Sequence, residues 1–299
     1  MQLKPWITAA RLRTLPLTVS NILLGSMIAS SRGKFCLNIT LLGLATAVLL
    51  QVLSNYANDY GDFISGADKK RISKYERALQ SGKISQRQMK WMLIFLAALT
   101  LVTGISLVVS AARRLGAIAI AAFIVAGILC IAAAITYTIG RKPYGYIGMG
   151  DIAVFIFFGI IGVCGIYVLQ TGQWDWLILL PASSFGLLSV GVLNINNIRD
   201  EESDRVSGKR TLVVRIGPDK AKVYHDWLIL VAVILGIAST LLDYHSTFQF
   251  IYLLTLPFFI RNICRVHNSK YPDMLDDELR NLSLTAFFYS VTYGVGLIL

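Results

Sequence analysis

Nine long apolar stretches, with nearly all of the charge confined to the gaps between them, constrain this chain more than any other feature. They cover residues 15–30, 38–58, 91–110, 115–139, 147–170, 176–198, 226–243, 247–266 and 281–299. A helix rises about 1.5 Å per residue, so roughly 20 apolar residues cross the hydrocarbon of a bilayer. Each stretch is therefore read as a transmembrane helix. Only 15% of the 299 residues are charged, against 55% hydrophobic, and the mean hydropathy is +0.62. A soluble chain of this size needs far more charge to cover its surface. The expected architecture is an all-α polytopic membrane protein whose nine transmembrane helices form one domain, residues 1–299. Lys4, Arg11 and Arg13 make a basic start, but Leu15 to Ser30 carries no small-residue cleavage pattern. It is read as the first span rather than a removed leader.

The basic residues orient these spans. Lys and Arg number 28 against 17 Asp and Glu, a net charge of +11. Of the 28, 24 lie in the N-terminal segment, at 59–90, at Arg141 and Lys142, at 199–225 and at 261–280, all on one face. The other face carries four: Arg32, Lys34, Arg113 and Arg114. The positive-inside rule then predicts a cytoplasmic N-terminus and cytoplasmic long loops, with the C-terminus outside. Nucleic acid is not the partner, because the basic residues are scattered among spans with no reading helix or stacking platform. The partner implied by the apolar surface is the lipid bilayer. Cys36, Cys130, Cys164 and Cys264 show neither metal-site nor disulfide spacing and are read as small buried hydrophobes. His225, His245 and His267 are isolated and read as structural.

Two acidic clusters stand apart. Asn55, Asn58, Asp59 and Asp62 close the second span at i, i+3, i+4 and i+7, and Gly66 and Asp68 follow. Asn197, Asp200 and Asp204 close the sixth at i, i+3 and i+7. Each set occupies one helix face. Both close even-numbered spans, which places them at the cytoplasmic face, half a chain apart; this suggests two similar four-span halves. Carboxylates at a membrane boundary are costly and by default mark a functional site. Facing one another, they repel unless a cation intervenes. Asp and Asn oxygens suit Mg2+, which commonly bridges carboxylates to a substrate phosphate. Basic side chains can then grip the phosphate oxygens; Arg13, Arg71, Arg77, Arg141, Lys142, Lys209 and Arg215 are near enough in sequence.

Several stretches resemble the UbiA-type intramembrane prenyltransferases, and among them the dihydroxynaphthoate branch. They are Arg11-Leu-Arg13-Thr-Leu-Pro16, then Leu53 through Asp62, then Ile135-Thr-Tyr137-Thr with Pro143-Tyr144-Gly-Tyr146-Ile-Gly-Met-Gly150-Asp151. The last runs from Val192 through Asp200 and Asp204 to Gly208-Lys209 and Thr211-Leu-Val-Val-Arg215. The resemblance is detailed from about residue 4 to 225. It departs from the family at Arg71-Ile-Ser-Lys-Tyr-Glu-Arg77-Ala-Leu-Gln80, where a Gly-Pro turn is missing.

The resemblance implies a nine-helix UbiA-type bundle in the inner membrane and Mg-dependent transfer of a polyprenyl group to 1,4-dihydroxy-2-naphthoate. The donor is a polyprenyl diphosphate, CO2 is lost, and the product is demethylmenaquinone, on the route to menaquinone. It implies Asp59, Asp62, Asp200 and Asp204 as the Mg2+ ligands and catalytic acids. Asn55, Asn58 and Asn197 serve as oxygen ligands or orienting partners, and Arg13, Arg77, Arg141, Lys142 and Lys209 as substrate contacts. Tyr137, with Tyr144 and Tyr146, offers aromatic faces to an allylic cation, or else belongs to an interfacial aromatic belt. Asp151, an acid at the head of the fifth span, is expected to orient or deprotonate the acceptor ring, or to pack against a partner. Trp174 and Trp176 read as interface anchors. A sister enzyme with another aromatic acceptor, a phosphatidyl-alcohol transferase and a cation transporter remain as alternatives at this point.

Overall fold

The computed structural model describes residues 3–66, 78–269 and 271–299, and among these the secondary structure is helical throughout, with no strand. Among the described residues, nine helices are long and apolar enough to cross a membrane. They are α1 (Leu3–Ser31), α2 (Leu37–Ile64), α3 (Gln86–Arg114), α4 (Ala117–Thr136), α5 (Gly150–Thr171), α6 (Trp176–Arg199), α7 (Pro218–Leu242), α8 (Thr247–His267) and α9 (Met274–Ile298). Two short helices, Glu201–Val206 and Leu212–Ile216, fill the connection from α6 to α7.

The helices outrun the apolar stretches on the charged face. The seventh begins at Pro218 rather than 226, and the ninth at Met274 rather than 281. Hydropathy marks the hydrocarbon, whereas a helix continues until a cap or breaker stops it. Gly217, at φ 85°, and Pro218 at the first helical turn set one start. A capping box of Ser85 and Gln88 sets the start of α3. The first span also begins early, at Leu3, and breaks at Arg11, which is left-handed at φ 52°.

Packing is divided. The broadest interfaces join α6 to α7, α2 to α3, α1 to α9 and α5 to α6. The largest core cluster draws on α1 and α5–α9, including Leu24, Phe185, Leu188, Phe259 and Tyr289. A second cluster ties α1–α3 together at the charged end through Trp6, Leu53, Tyr56, Met89 and Leu93. No residue of α4 is buried. That is the signature of a helix with lipid on one side and an internal cavity on the other.

Several structural readings meet their surroundings here. His225 is fully buried and hydrogen-bonded to Asn262 at 3.0 Å. Trp174 and Trp176 are exposed and pack edge to face. The cysteine expectation needs correction. All four thiols are free, but only Cys164 is buried, and Cys264 is exposed on the amphipathic end of α8.

One close approach fixes the charged end of α2. A Cβ at Gly61 would lie 2.6 Å from the Thr138 carbonyl oxygen, and Thr138 donates to the Ala57 carbonyl at 2.9 Å and to Asn58 Oδ1 at 3.2 Å. Only glycine lets α2 touch this turn. Gly127 on α4 has open space at its Cβ. Gly61→Ala is therefore expected to destabilise the fold by about 1–3 kcal/mol, lowering the thermal midpoint in detergent, whereas Gly127→Ala leaves it unchanged. Equal midpoints for the two variants would contradict this packing.

Candidate active site

The two acidic sets, 138 residues apart from Asp62 to Asp200 in sequence, meet at one cavity. The cavity has a volume of about 410 Å³, a size typical of small-molecule sites. Its mouth is polar: Arg11, Asn58, Asp62, Asn197, Asp200, Asp204 and Lys209 line it, along with Asn55 and Asn196. Its depth is apolar, with Leu50, Ile105, Phe123, Ile128, Ile131, Phe158 and Ile161 among the walls. It is bounded by α1–α6, and α5 contributes through an unusual stretch of π-helix, Phe155–Cys164. π-Helical turns are rare and concentrate at functional sites.

Lys209 joins the two walls. Its Nζ lies 3.2 Å from Asp62 Oδ1 and 3.4 Å from Asp204 Oδ1. The ammonium also sits over the Tyr146 ring, 4.9 Å from its centroid. The Tyr146 hydroxyl donates a short hydrogen bond to Asp62. Asp62 and Asp204 are both buried. Burial, with Asp200 and Asp62 nearby, pushes the Asp204 carboxyl above its ordinary range, against the opposing pull of Lys209. Buried carboxylates brought together from two distant segments are the donor chemistry that a divalent ion answers. Among the described residues, no three acids, histidines or thiols already converge to hold a metal.

The remaining residues are placed as follows. Asp59 is buried and turns toward α1, where Arg11 meets its Oδ1 at 2.9 Å. The left-handed backbone at Arg11, uncommon for a non-glycine residue, aims that guanidinium back across the mouth. Asn55 lines the cavity wall but spends its amide N–H on the Ala10 carbonyl at 2.8 Å, fixing α1 against α2. Asp200 faces the cavity and is gripped by Arg199 at 2.8 Å; Arg199 also reaches Asp276 of α9 at 2.7 Å. Tyr137 lines the cavity, packs edge to face on Tyr144 at 5.2 Å, and has its hydroxyl pushed up by burial. The Tyr144 hydroxyl is pushed up to about 12 by burial and donates to the Ala133 carbonyl. A Cβ on Gly145 would meet the Tyr137 carbonyl at 2.7 Å, so glycine lets this aromatic turn fold onto itself.

Asp59 does not itself line the cavity, and four further expected residues stand outside this constellation. Arg13 does not line the cavity; it pairs with Asp276 at 2.9 Å. Arg11, two residues earlier, takes the place at the mouth. Arg141 and Lys142 are exposed and do not line the cavity. Asp151 lies beside the Tyr224 hydroxyl of α7, which supplies the packing partner rather than a route to the acceptor. Arg71 and Arg77 fall outside the described residues. Conversely, Arg11 and Asn196 line the mouth although neither is among the site residues that the resemblance implies, and Tyr146, one of the three expected aromatic faces, lines it too. Arg11 and Arg13 sit in one Arg-Leu-Arg stretch, and only the left-handed turn at Arg11 decides between them.

The comparisons with known proteins agree on a family. The model of the UbiA prenyltransferase family matches residues 18–291. The 1,4-dihydroxy-2-naphthoate octaprenyltransferase of Haemophilus influenzae is 41% identical, covering 100% of this chain and 97% of that protein. The Escherichia coli enzyme of the same name is 39% identical over 98% of this chain and 95% of its own. Among solved structures, a UbiA homolog from Archaeoglobus fulgidus bound to DMAPP and Mg2+ superposes with a TM-score of 0.61 at 19% identity, covering 96% of this chain and 98% of that one. With the family model spanning most of its length and relatives above 30% identity end to end, the chain belongs to the UbiA prenyltransferase family.

Proposed function

We propose that this enzyme transfers a polyprenyl group from polyprenyl diphosphate to 1,4-dihydroxy-2-naphthoate, from the cytoplasmic face of the inner membrane, and that residues 1–299 act as one catalytic domain. The observation that carries this reading is a polar, carboxylate-lined mouth, crossed by Lys209, on an otherwise apolar cavity. A diphosphate head suits the mouth and an isoprenoid tail suits the depth. The full-length relatives, named for this reaction, support the acceptor.

The residues divide the work. Asp59, Asp62, Asp200 and Asp204 would hold Mg2+, with Asn58 and Asn197 as further oxygen donors. Bound Mg2+ supplies positive charge against the developing diphosphate anion. Lys209 and Arg11 grip the diphosphate oxygens, and the carboxylate partners of these two hold them in place before substrate arrives; Arg77 is assigned the same grip. Asn55 positions α1. Arg13 acts through Asp276 and Arg199, which orient Asp200. Arg141 and Lys142 attract the anionic substrate at longer range.

The allylic C–O bond breaks, and its electron pair leaves with the diphosphate. The electron-rich ring then attacks the allylic carbon to form the new C–C bond. The carboxylate departs as CO2, its bonding pair restores the aromatic ring, and demethylmenaquinone results in its quinol form. The apolar depth excludes water that would quench the cation, and the Tyr137 ring flanks it near the mouth.

The cation-transporter reading fits less well. Transport sites lie near the membrane midplane on broken helices, whereas these carboxylates close helices at the charged face. A sister enzyme with another aromatic acceptor is separated by feeding each acceptor to membranes with radiolabelled polyprenyl diphosphate. Product is expected only with 1,4-dihydroxy-2-naphthoate.

Two further outcomes are expected. Asp59→Ala or Asp200→Ala lowers turnover by roughly 10²–10³-fold or more while the helical circular dichroism and detergent gel-filtration profiles stay as in the parent; near-parental rates in either variant would remove the site. EDTA stops product formation in membranes and added Mg2+ restores it, and undiminished turnover in EDTA excludes the metal.

A further inference from the structure

Seven buried side-chain polar atoms among the described residues have no hydrogen-bond partner. Two of them, Thr18 Oγ1 and Asn21 Oδ1, belong to residues that line the cavity; the other five do not. Thr18 is 3% exposed and Asn21 5%. An unmade hydrogen bond is expensive in an apolar interior and more so at membrane depth, where no bulk water compensates. Two such atoms on one wall call for a ligand that supplies what they lack.

Their setting sharpens this. Thr18 and Asn21 are at i and i+3, neighbours on one face of α1. They sit about one and two helical turns below Thr14, which is at the mouth and shares a hydrogen bond with Gln51. Three other hydroxyls lining the cavity are satisfied. Thr46, Thr100 and Ser189 each donate to the carbonyl one turn back, the usual resting place of a hydroxyl in an apolar helix. The Thr18 hydroxyl has no such partner. Asn21 is held by shape: a Cβ on Gly162, within the π-helical stretch of α5, would lie 2.4 Å from Asn21 Nδ2. Glycine at that position opens the slot that the amide occupies, while Oδ1 has no partner.

The chemistry of the missing partner follows. An amide oxygen only accepts, so the ligand must bring a donor. An isoprenoid tail has none, and the diphosphate is an acceptor held above. A hydroxylated aromatic ring has donors, and this level, just beneath the mouth, is where its nucleophilic carbon must meet the allylic carbon. We propose that Thr18 and Asn21 form the subsite that receives the phenolic hydroxyls of the aromatic acceptor, on the α1 wall of the cavity beside the π-helical stretch of α5. This deepens the prenyl-transfer reading above and rests on it. A phenol donating to Asn21 Oδ1 also pushes electron density into its ring, favouring attack. The tail runs on past the ring toward Gly104, Gly127 and Ile128.

The test uses the full chain in lipid nanodiscs with Thr18→Val, Asn21→Leu and the pair combined. These changes put apolar groups of similar size in place of unpartnered polar ones, so folding is expected to hold, and thermal midpoints check it. Equilibrium binding of 1,4-dihydroxy-2-naphthoate is compared with that of 2-naphthoate, which keeps the ring and carboxylate but lacks both hydroxyls. The parent is expected to favour the hydroxylated ring at least tenfold, about the value of one buried hydrogen bond. The double variant should bind the two within twofold, while Thr18→Ser keeps the parent's preference. In turnover, the variants should raise the KM for 1,4-dihydroxy-2-naphthoate at least tenfold and leave the KM for polyprenyl diphosphate unchanged. A double variant that keeps the parent's preference, or that raises both KM values together, overturns the subsite. A parent protein that makes no prenylated product from 1,4-dihydroxy-2-naphthoate refutes the enzyme's assigned acceptor instead, and the binding arm still decides the subsite.

Discussion

One ammonium group holds the two halves of the mouth together. Lys209 lies between Asp62, at the end of α2, and Asp204, on the short helix after α6. Without a cation there, buried carboxylates from two distant segments would repel at short range. With it, the loop from α6 to α7 is pinned over the cavity. The Lys209 amide donates to the Asp204 carbonyl, and the Arg210 amide donates to the Tyr146 carbonyl. The aromatic turn at Tyr144–Ile147 is thereby stitched to the same point. The ion pairs are buried enough that breaking one partner leaves an uncompensated charge, which is the costly case.

A second network braces the far wall. Arg199 spans Asp200 and Asp276, and Arg13 reaches the same Asp276. The end of α6, the start of α9 and the bend in α1 therefore move as a unit. Arg11 completes the ring by crossing to Asp59. Every acid of the mouth with a described partner is matched by a cation from another segment or by its own neighbour. Under the proposed function, a diphosphate entering such a mouth would exchange carboxylate partners for phosphate oxygens at little reorganisation cost, the condition for preorganised electrostatic stabilisation.

Below the mouth the demands reverse. The cavity must be dry enough to protect a carbocation and roomy enough for a tail. The lack of any buried residue on α4, the open space at Gly127 and the π-helical stretch of α5 all serve that space. Thr46 and Thr100 rest their hydroxyls on a carbonyl one turn back, whereas Thr18 Oγ1 and Asn21 Oδ1 have no partner.

Much of this was written in the sequence. Hydropathy alone specifies nine spans, because a bilayer admits only backbones that satisfy their own hydrogen bonds. The i, i+3, i+4, i+7 spacing of Asn55, Asn58, Asp59 and Asp62 specifies a polar helix face, because helical geometry is local. Local spacing cannot say what faces a residue across the bundle. Asp59 therefore meets Arg11, 48 residues away, Arg13 pairs with Asp276, and Asp151 settles beside Tyr224. The convergence of α2 with the α6–α7 loop, the left-handed bend at Arg11 and the slot opposite Gly162 are long-range packing outcomes. They depend on which helices share an interface, and that is decided only when the whole bundle closes.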